Sequence, residues 1–259
     1  MSLPTKEAAT RLTTAVHSRT ATTALTGDYG DFDIPTAYDV QALVVADRIA
    51  QGHRVVGAKL GLTSEAKQKQ MNVSEPLYGW LTNDMRIEPG EPLVVDHFIQ
   101  PRIEAEIAFL IGDDLEGADI GAADVMAATA AIMPAIDVLD SRYAGYSFTL
   151  PDVVADNSSS AGFITGSQLV DPVGIDLRLL GVVLELNGQV VATAAGAAVL
   201  GHPASSVAWL VRALARRGEG LAAGMTVLSG ACTAAFAVSP GDTVVARIDR
   251  LGTVEVPCR

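Results

Sequence analysis

The sequence predicts an α+β fold in which mixed, curled β-sheets carry most of the chain and a small helical portion stands at the N-terminus. Three observations lead there. Helical apolar spacing is concentrated near the N-terminus. The remainder is dominated by short apolar runs punctuated by glycine, and the regular strand-helix alternation of a barrel or doubly wound sheet is absent. With no internal repeat, low-complexity tract or flexible linker, the boundary falls near residue 54. That leaves a helical portion over 1–54 and a β-rich main domain over 55–259.

Residues 3–25 read as a helix with a ragged polar face, followed by a Gly-Asp-Tyr-Gly loop. A second helix is clearer. Pro35-Thr36 starts it, Asp39 stands at the capping-box position, an apolar stripe runs from Tyr38 to Ile49, and Gly52 stops it. From Val55 to Leu60 the pattern changes to short apolar segments, with a further helix expected over Ser64–Met71. Another helix is expected over Ala122–Met133, ended by Pro134, and one from Ala204 to Arg217, stopped by Gly218. Leu177–Leu186 and Gln189–Thr193 flank Asn187-Gly188, a strong hairpin signal. Met225–Leu228, Thr243–Ile248 and Gly252–Val256 complete the strands.

A chain of 259 residues buries a substantial core without covalent staples. Its only cysteines, Cys232 and Cys258, do not make a disulfide framework, and the N-terminus lacks an export pattern, so a cytoplasmic protein is expected. No apolar run reaches the 18 or so residues of a membrane span. The net charge of -12, from 30 acids and 18 bases, argues against a nucleic-acid surface, which needs clustered Lys and Arg. A small anionic substrate stays compatible, because a local metal and a few bases outweigh a distant net charge.

The most informative run is Arg102-Ile103-Glu104-Ala105-Glu106-Ile107-Ala108-Phe109-Leu110. As a strand, its period of two puts Glu104 and Glu106 on one face and the apolar residues on the other. Asp137 lies in a second run of the same character, Met133–Asp140. Three carboxylates converging from strands repel one another unless a cation joins them, and an all-oxygen set suits Mg²⁺ or Mn²⁺. The alternative for a bare Glu-x-Glu is a solvated strand face. Lys59 sits inside an apolar, glycine-flanked stretch, where a buried ammonium needs an anion: a structural carboxylate or a substrate carboxylate. Asp156-Asn157-Ser158-Ser159-Ser160 is a polar wedge between apolar runs, the composition of a turn.

Six segments, VVGAKLGLTS, EPLYGWL, PRIEAEIAFLIGDDL, PAIDVLDSRY, VVADNSSSAGFITG and AAVLGHPASSVAWL, resemble in matching order the 2-keto-4-pentenoate hydratase and 4-oxalocrotonate decarboxylase family of the fumarylacetoacetate hydrolase superfamily. The resemblance covers nearly the whole chain. It implies the fold of that superfamily's C-terminal domain, a divalent metal (Mg²⁺ or Mn²⁺) held at Glu104, Glu106 and Asp137, a 2-oxo acid bound across it, and an active-site lysine at Lys59. Many members carry glutamate at the third ligand place, so Asp137 is a shorter arm.

Two departures separate the family's reactions. Hydratase members look like Pro-Asp-Phe-Gly where this chain has Pro76-Leu77-Tyr78-Gly79, and like Ser-Glu-Cys where it has Ala197-Ala198-Val199. Adding water to a diene needs proton donors and acceptors, so loss of two acids counts against hydration. Decarboxylase members resemble this chain at Tyr78, at Asp140–Tyr143 and at Gly196–Pro203. The expected function is therefore a lyase of aromatic meta-cleavage that decarboxylates 2-oxo-3-hexenedioate, with Leu77 and Tyr78 forming an apolar wall for the departing CO₂. The alternatives are a 2-hydroxypenta-2,4-dienoate hydratase, or a non-catalytic subunit of a hydratase complex. The resemblance also implies homo-oligomers and a complex with the pathway hydratase.

Arg142 either locks a strand end or binds the distal carboxylate, and Ser159 is a candidate for a substrate hydrogen bond. His202, before Pro203 at a helix start, is expected to brace the turn. Cys232 is expected to be packing, with no activating neighbour in sequence.

Overall fold

The computed structural model describes residues 5–64, 68, 69, 73 and 75–259. The helix expected over Ser64–Met71 falls largely outside the described residues. Eleven strands form two sheets among the described residues. The larger runs β2 (Leu77–Thr82), β1 (Val55–Gly61), β8 (Thr226–Leu228), β3 (Arg102–Ile111), β4 (Thr129–Leu139), β5 (Ser160–Thr165), with β9 (Phe236–Ala237) joined to β3. Every pairing in it is antiparallel except β1 with β8. The smaller sheet is β11 (Gly252–Pro257), β10 (Thr243–Ile248), β6 (Gly181–Leu186) and β7 (Gln189–Ala195).

Alternation along β3 decides which face does what. Ile103, Ala105, Ile107, Phe109 and Ile111 enter the main core, where they meet the smaller sheet and the apolar stripe Val207, Leu210, Val211 and Leu214 of the helix Pro203–Ala215. Glu104 and Glu106 take the other face. Farther along that face, Ala108 joins Leu81, Met85, Met133, Ala135, Phe163 and Leu228 in a second cluster.

Helices α1 (Thr5–Ser18), α2 (Leu25–Asp28) and α3 (Ile34–Ala50) form the N-terminal portion. Their apolar residues Ala8, Leu12, Leu25, Val40 and Val44 share a core with Leu77, Tyr143, Val153 and Val154 from beyond residue 54. Gln41, buried beneath them, donates from Nε2 to the Tyr78 and Val154 carbonyls at 2.9 Å each. No helix among the described residues is long and apolar enough to cross a membrane.

Several element bounds differ from the sequence reading. The first helix ends at Ser18, and a short second helix begins at Leu25. The cap of α3 is Asp33, whose Oδ1 accepts from Thr36 N–H at 2.9 Å, whereas Asp39 faces Arg217 at 3.3 Å. The helix expected to reach Met133 stops at Ala127, and β4 runs straight through Pro134. Its Ala-rich segment favours a helix locally, but pairing with β3 along its length overrides that preference. The Asn187-Gly188 hairpin forms as expected, with both residues at positive φ (54° and 73°).

The parallel seam between β1 and β8 brings Lys59 alongside the strand that leads to Gly230, and it depends on Gly57. A Cβ there would lie 1.8 Å from the Thr226 carbonyl oxygen, whereas one at Gly181 would meet nothing within 4 Å. Gly57→Ala is therefore expected to destabilise by at least about 1–3 kcal/mol, the range for overpacking. Thermal melts should show a clear drop for this variant and little change for Gly181→Ala.

Candidate active site

Glu104 stands directly opposite Asp137 in the β3–β4 register, and Glu106 follows two residues along. One carboxylate oxygen from each lies within 4.8 Å of the others, and all three residues are buried. The shorter aspartate arm thus still reaches the cluster. Glu106 accepts a hydrogen bond through Oε2 from Gly230 N–H at 2.7 Å, while its Oε1 has no hydrogen-bond partner among the described residues. Burial, followed by the adjacent Asp137 carboxylate, pushes the Glu106 carboxyl well above the usual range; Lys59 and Gly230 offset this only in part.

Lys59, 2% exposed, reaches the same cluster from β1 and places Nζ 2.9 Å from Asp137 Oδ2. The sequence offered two partners for it, and the structure shows a carboxylate that belongs to the cluster itself. Fully ionised, three carboxylates and one ammonium leave two negative charges. An all-oxygen donor set with that charge and a buried acceptor oxygen aimed inward fits a divalent cation such as Mg²⁺ or Mn²⁺.

The cluster borders a cavity of about 230 Å³ lined by Lys59, Glu104, Arg102, Leu77, Ser158 and Ser159, with Leu62, Leu139, Tyr146, Phe148 and Val153 supplying apolar wall. A larger cavity of about 830 Å³ touches none of the three carboxylates. Leu77 borders both spaces. Tyr78 does not enter the smaller one. It follows Leu77 on a strand and so points to the opposite face, where it stacks on Tyr38 at 4.7 Å between ring centroids. Of the two residues expected to wall the substrate, only Leu77 borders this cavity. Ala197 and Ala198 are exposed and do not line the cavity, so of the two departures only Leu77 changes its chemistry.

Ser158 and Ser159 face the cavity because the backbone there is forced. Asn157, Ser158 and Ser159 all have positive φ (51°, 57° and 54°), a run that costs about 1–2 kcal/mol per residue for L-amino acids. The surroundings fix it. The Asn157 side chain pairs with both the N–H and the carbonyl of Trp80 (2.8 and 2.9 Å), and Ser159 Oγ donates to Asp156 Oδ2 at 3.2 Å. Arg142 closes the turn: its guanidinium holds the Asp156 carboxylate and carbonyl, and donates to the Asp140 and Ser160 carbonyls at 2.8 and 3.2 Å. Arg142 is therefore placed as the structural lock. It is 3% exposed, its guanidinium is committed to these partners, and it does not line the cavity.

His202 caps the helix Pro203–Ala215, with Nδ1 accepting from Ala204 N–H at 3.0 Å, and it too stands outside the cavity. Cys232 packs in the main core. Sequence reasoning assigned no role to Arg102, Tyr146 or Phe148, which the structure brings to the cavity. For Arg102 the signal was present, since it shares the parity of Glu104 and Glu106.

Two outcomes follow from this geometry. Glu106→Gln removes one charge from the cluster while keeping the side chain's size. Replacing even an outer partner of a metal ligand costs about 10–100-fold in affinity, so calorimetric titration with Mg²⁺ should show at least that loss. Arg142→Met should destabilise by about 3–5 kcal/mol through the stranded Asp156, whose carboxyl burial already lifts to about 6 against the lowering effect of Arg142. Without Arg142 the folded-state pKa rises further above the unfolded value. The folded state then holds a proton that the unfolded chain releases above about pH 4. The variant should accordingly lose stability as pH rises, and its melting deficit against wild type should be smaller near pH 5 than near pH 8.

The family model for the fumarylacetoacetate (FAA) hydrolase C-terminal domain matches residues 48–259. The chain is 47% identical over 230 residues to a 4-oxalocrotonate decarboxylase of Pseudomonas sp. (strain CF600), covering 89% of this chain and 87% of the relative. It is 39% identical over 249 residues to a 2-keto-4-pentenoate hydratase of Paraburkholderia xenovorans (strain LB400), covering 96% and 93%. Among solved structures it superposes with a TM-score of 0.95 on 4-oxalocrotonate decarboxylase from Pseudomonas putida G7 complexed with magnesium and adipate, at 41% identity over 98% of this chain and 97% of that one. With fold and sequence agreeing over almost its full length, the chain belongs to the fumarylacetoacetate hydrolase family, alongside its 4-oxalocrotonate decarboxylase members.

Proposed function

We propose that this protein is a divalent-metal-dependent lyase that decarboxylates 2-oxo-3-hexenedioate to 2-hydroxypenta-2,4-dienoate in the meta-cleavage breakdown of aromatic compounds. The observation that carries the choice of reaction is Leu77. It borders the same cavity as Lys59 and Glu104, at the place where the resemblance puts an acid in hydratases. An acid would handle protons for hydration, whereas a leucine makes a dry wall.

In the substrate, the C6 carboxylate is a vinylogous β-keto acid. When the C5–C6 bond breaks, its electrons form a C4–C5 double bond, the C3–C4 pair shifts to C2–C3, and the carbonyl pair moves onto the C2 oxygen. Glu104, Glu106 and Asp137 would hold a Mg²⁺ or Mn²⁺ ion, which would supply positive charge to stabilise the negative charge developing on the C2 oxygen. Lys59 adds a buried cation at the same end, oriented by Asp137. Leu77, Leu139, Phe148 and Val153 keep water from the departing carboxylate, which favours its conversion to neutral CO₂. Ser159 borders the substrate space and is assigned a hydrogen bond to it.

Partners belong to the same reading: a small dianionic 2-oxo acid as substrate, copies of this chain in a homo-oligomer, the pathway hydratase as receiver of the dienol, and a cytoplasmic setting. The relatives named as 4-oxalocrotonate decarboxylases support the choice of substrate.

The test is CO₂ release from 2-oxo-3-hexenedioate by the pure protein. Turnover should vanish with a chelator and return with Mg²⁺; hydration of 2-hydroxypenta-2,4-dienoate without CO₂ release would assign the hydratase reaction instead, and inactivity toward both would point to a silent subunit. Lys59→Ala should retain Mg²⁺ binding and lose turnover by at least about 100-fold, as loss of an electrostatic stabiliser does. Normal turnover per folded molecule, with only a lower melting temperature, would reduce Lys59 to a structural partner of Asp137.

A further inference from the structure

Arg102 carries a cation to the cavity and is not used by the mechanism above. It shares a strand face with Glu104 and Glu106, so its backbone stands about 7 Å from that of Glu104, two residues toward the strand's beginning. Its guanidinium carbon lies 4.0 Å from the centroid of the Tyr146 ring, and both side chains border the cavity. Tyr146 is firmly placed: its hydroxyl is 3.2 and 3.1 Å from the Gln100 and Leu139 carbonyls, and Gln100 in turn donates to the Ser141 and Tyr143 carbonyls. Of the nearby cations, Lys59 is committed to Asp137 and Arg142 to Asp156. Among the described residues, no carboxylate forms an ion pair with Arg102.

We propose that Arg102 recognises the distal carboxylate of a six-carbon dicarboxylate and thereby gives the site its preference for dianions over 2-oxo monoacids. The assignment rests on the reading that the 2-oxo acid end lies at the carboxylate cluster. The separation of the two ends along β3 is comparable with an extended six-carbon diacid, and the aromatic face holds the guanidinium as a preset plane for a carboxylate. The energetic consequence is specific. Arg102 meets a full charge in the ground state, and that charge leaves as CO₂ while the electrons move to the other end. The contact therefore strengthens binding without lowering the barrier, and removing it raises KM while kcat stays level or rises.

The experiment uses Mg²⁺-loaded wild-type protein, Arg102→Met and Arg102→Lys. Two non-reacting probes, 2-oxohexanedioate and 2-oxohexanoate, differ only in the distal carboxylate. Wild type should bind the diacid about 10–100-fold more tightly, the value of a charge-assisted contact. Arg102→Met should erase that difference while binding the monoacid and Mg²⁺ as wild type does, and Arg102→Lys should recover part of it. With 2-oxo-3-hexenedioate, KM should rise by a similar factor in Arg102→Met with no fall in kcat. Equal loss for both probes, or a fall in kcat at unchanged KM, would overturn the proposal. Failure of both probes to bind wild type would instead sink the underlying reading of a 2-oxo acid at the metal cluster, and this inference with it.

Discussion

Holding three like charges together in the buried interior is the constraint from which the rest of this structure follows. Glu106 and Asp137 are fully buried and Glu104 nearly so, and Lys59 is ion-paired with Asp137. Such a group is a net cost to the fold, because desolvation and mutual repulsion both oppose ionisation. The scaffold therefore spends rigid elements on it. Central, long-paired strands carry the acids, a strand at the parallel seam carries the lysine, and a backbone N–H at Gly230 fixes one oxygen.

Strain appears where that rigidity meets the cavity. Three successive left-handed residues put Ser158 and Ser159 against the same space, and the buried Arg142–Asp156 pair, with Asn157 docked on the backbone of Trp80, over-determines their conformation. Arg142 thus acts at one remove: it shapes the wall without lining the cavity. Buried ion pairs are often poor stabilisers relative to apolar replacements. Here the pair earns its place through geometry, since an apolar pair would leave the Asp140, Asp156 and Ser160 carbonyls without their donors.

The legible part of the fold was periodic. A two-residue alternation over 102–110 located the acidic face, the Asn187-Gly188 turn located the hairpin, and the helical stripe after Pro203 located the helix on the main core. What misled was local preference in competition with long-range pairing, as in the Ala-rich stretch that became β4. Adjacency in sequence misled in a similar way at the site. Leu77 and Tyr78 looked like one wall because they are adjacent in sequence, but adjacency on a strand means opposite faces. Arg142 and Arg102 could not be ranked from sequence because the deciding facts, the commitment of one guanidinium and the availability of the other, arise only when residues far apart in the chain are brought together.

Leu77 belongs at once to the catalytic cavity and to the apolar cluster in which the N-terminal helices pack. The residue proposed to keep the wall dry thus also packs in the core of the N-terminal helices. Placing an acid there would not only alter proton transfer; it would set a charge beneath α1 and α3, where Ala8, Leu12 and Val40 have no polar group to offer it. Divergence between reactions at this position is thus coupled to repacking of the helical layer. A chain crossing from one chemistry to the other must change its interior before, or together with, its active site.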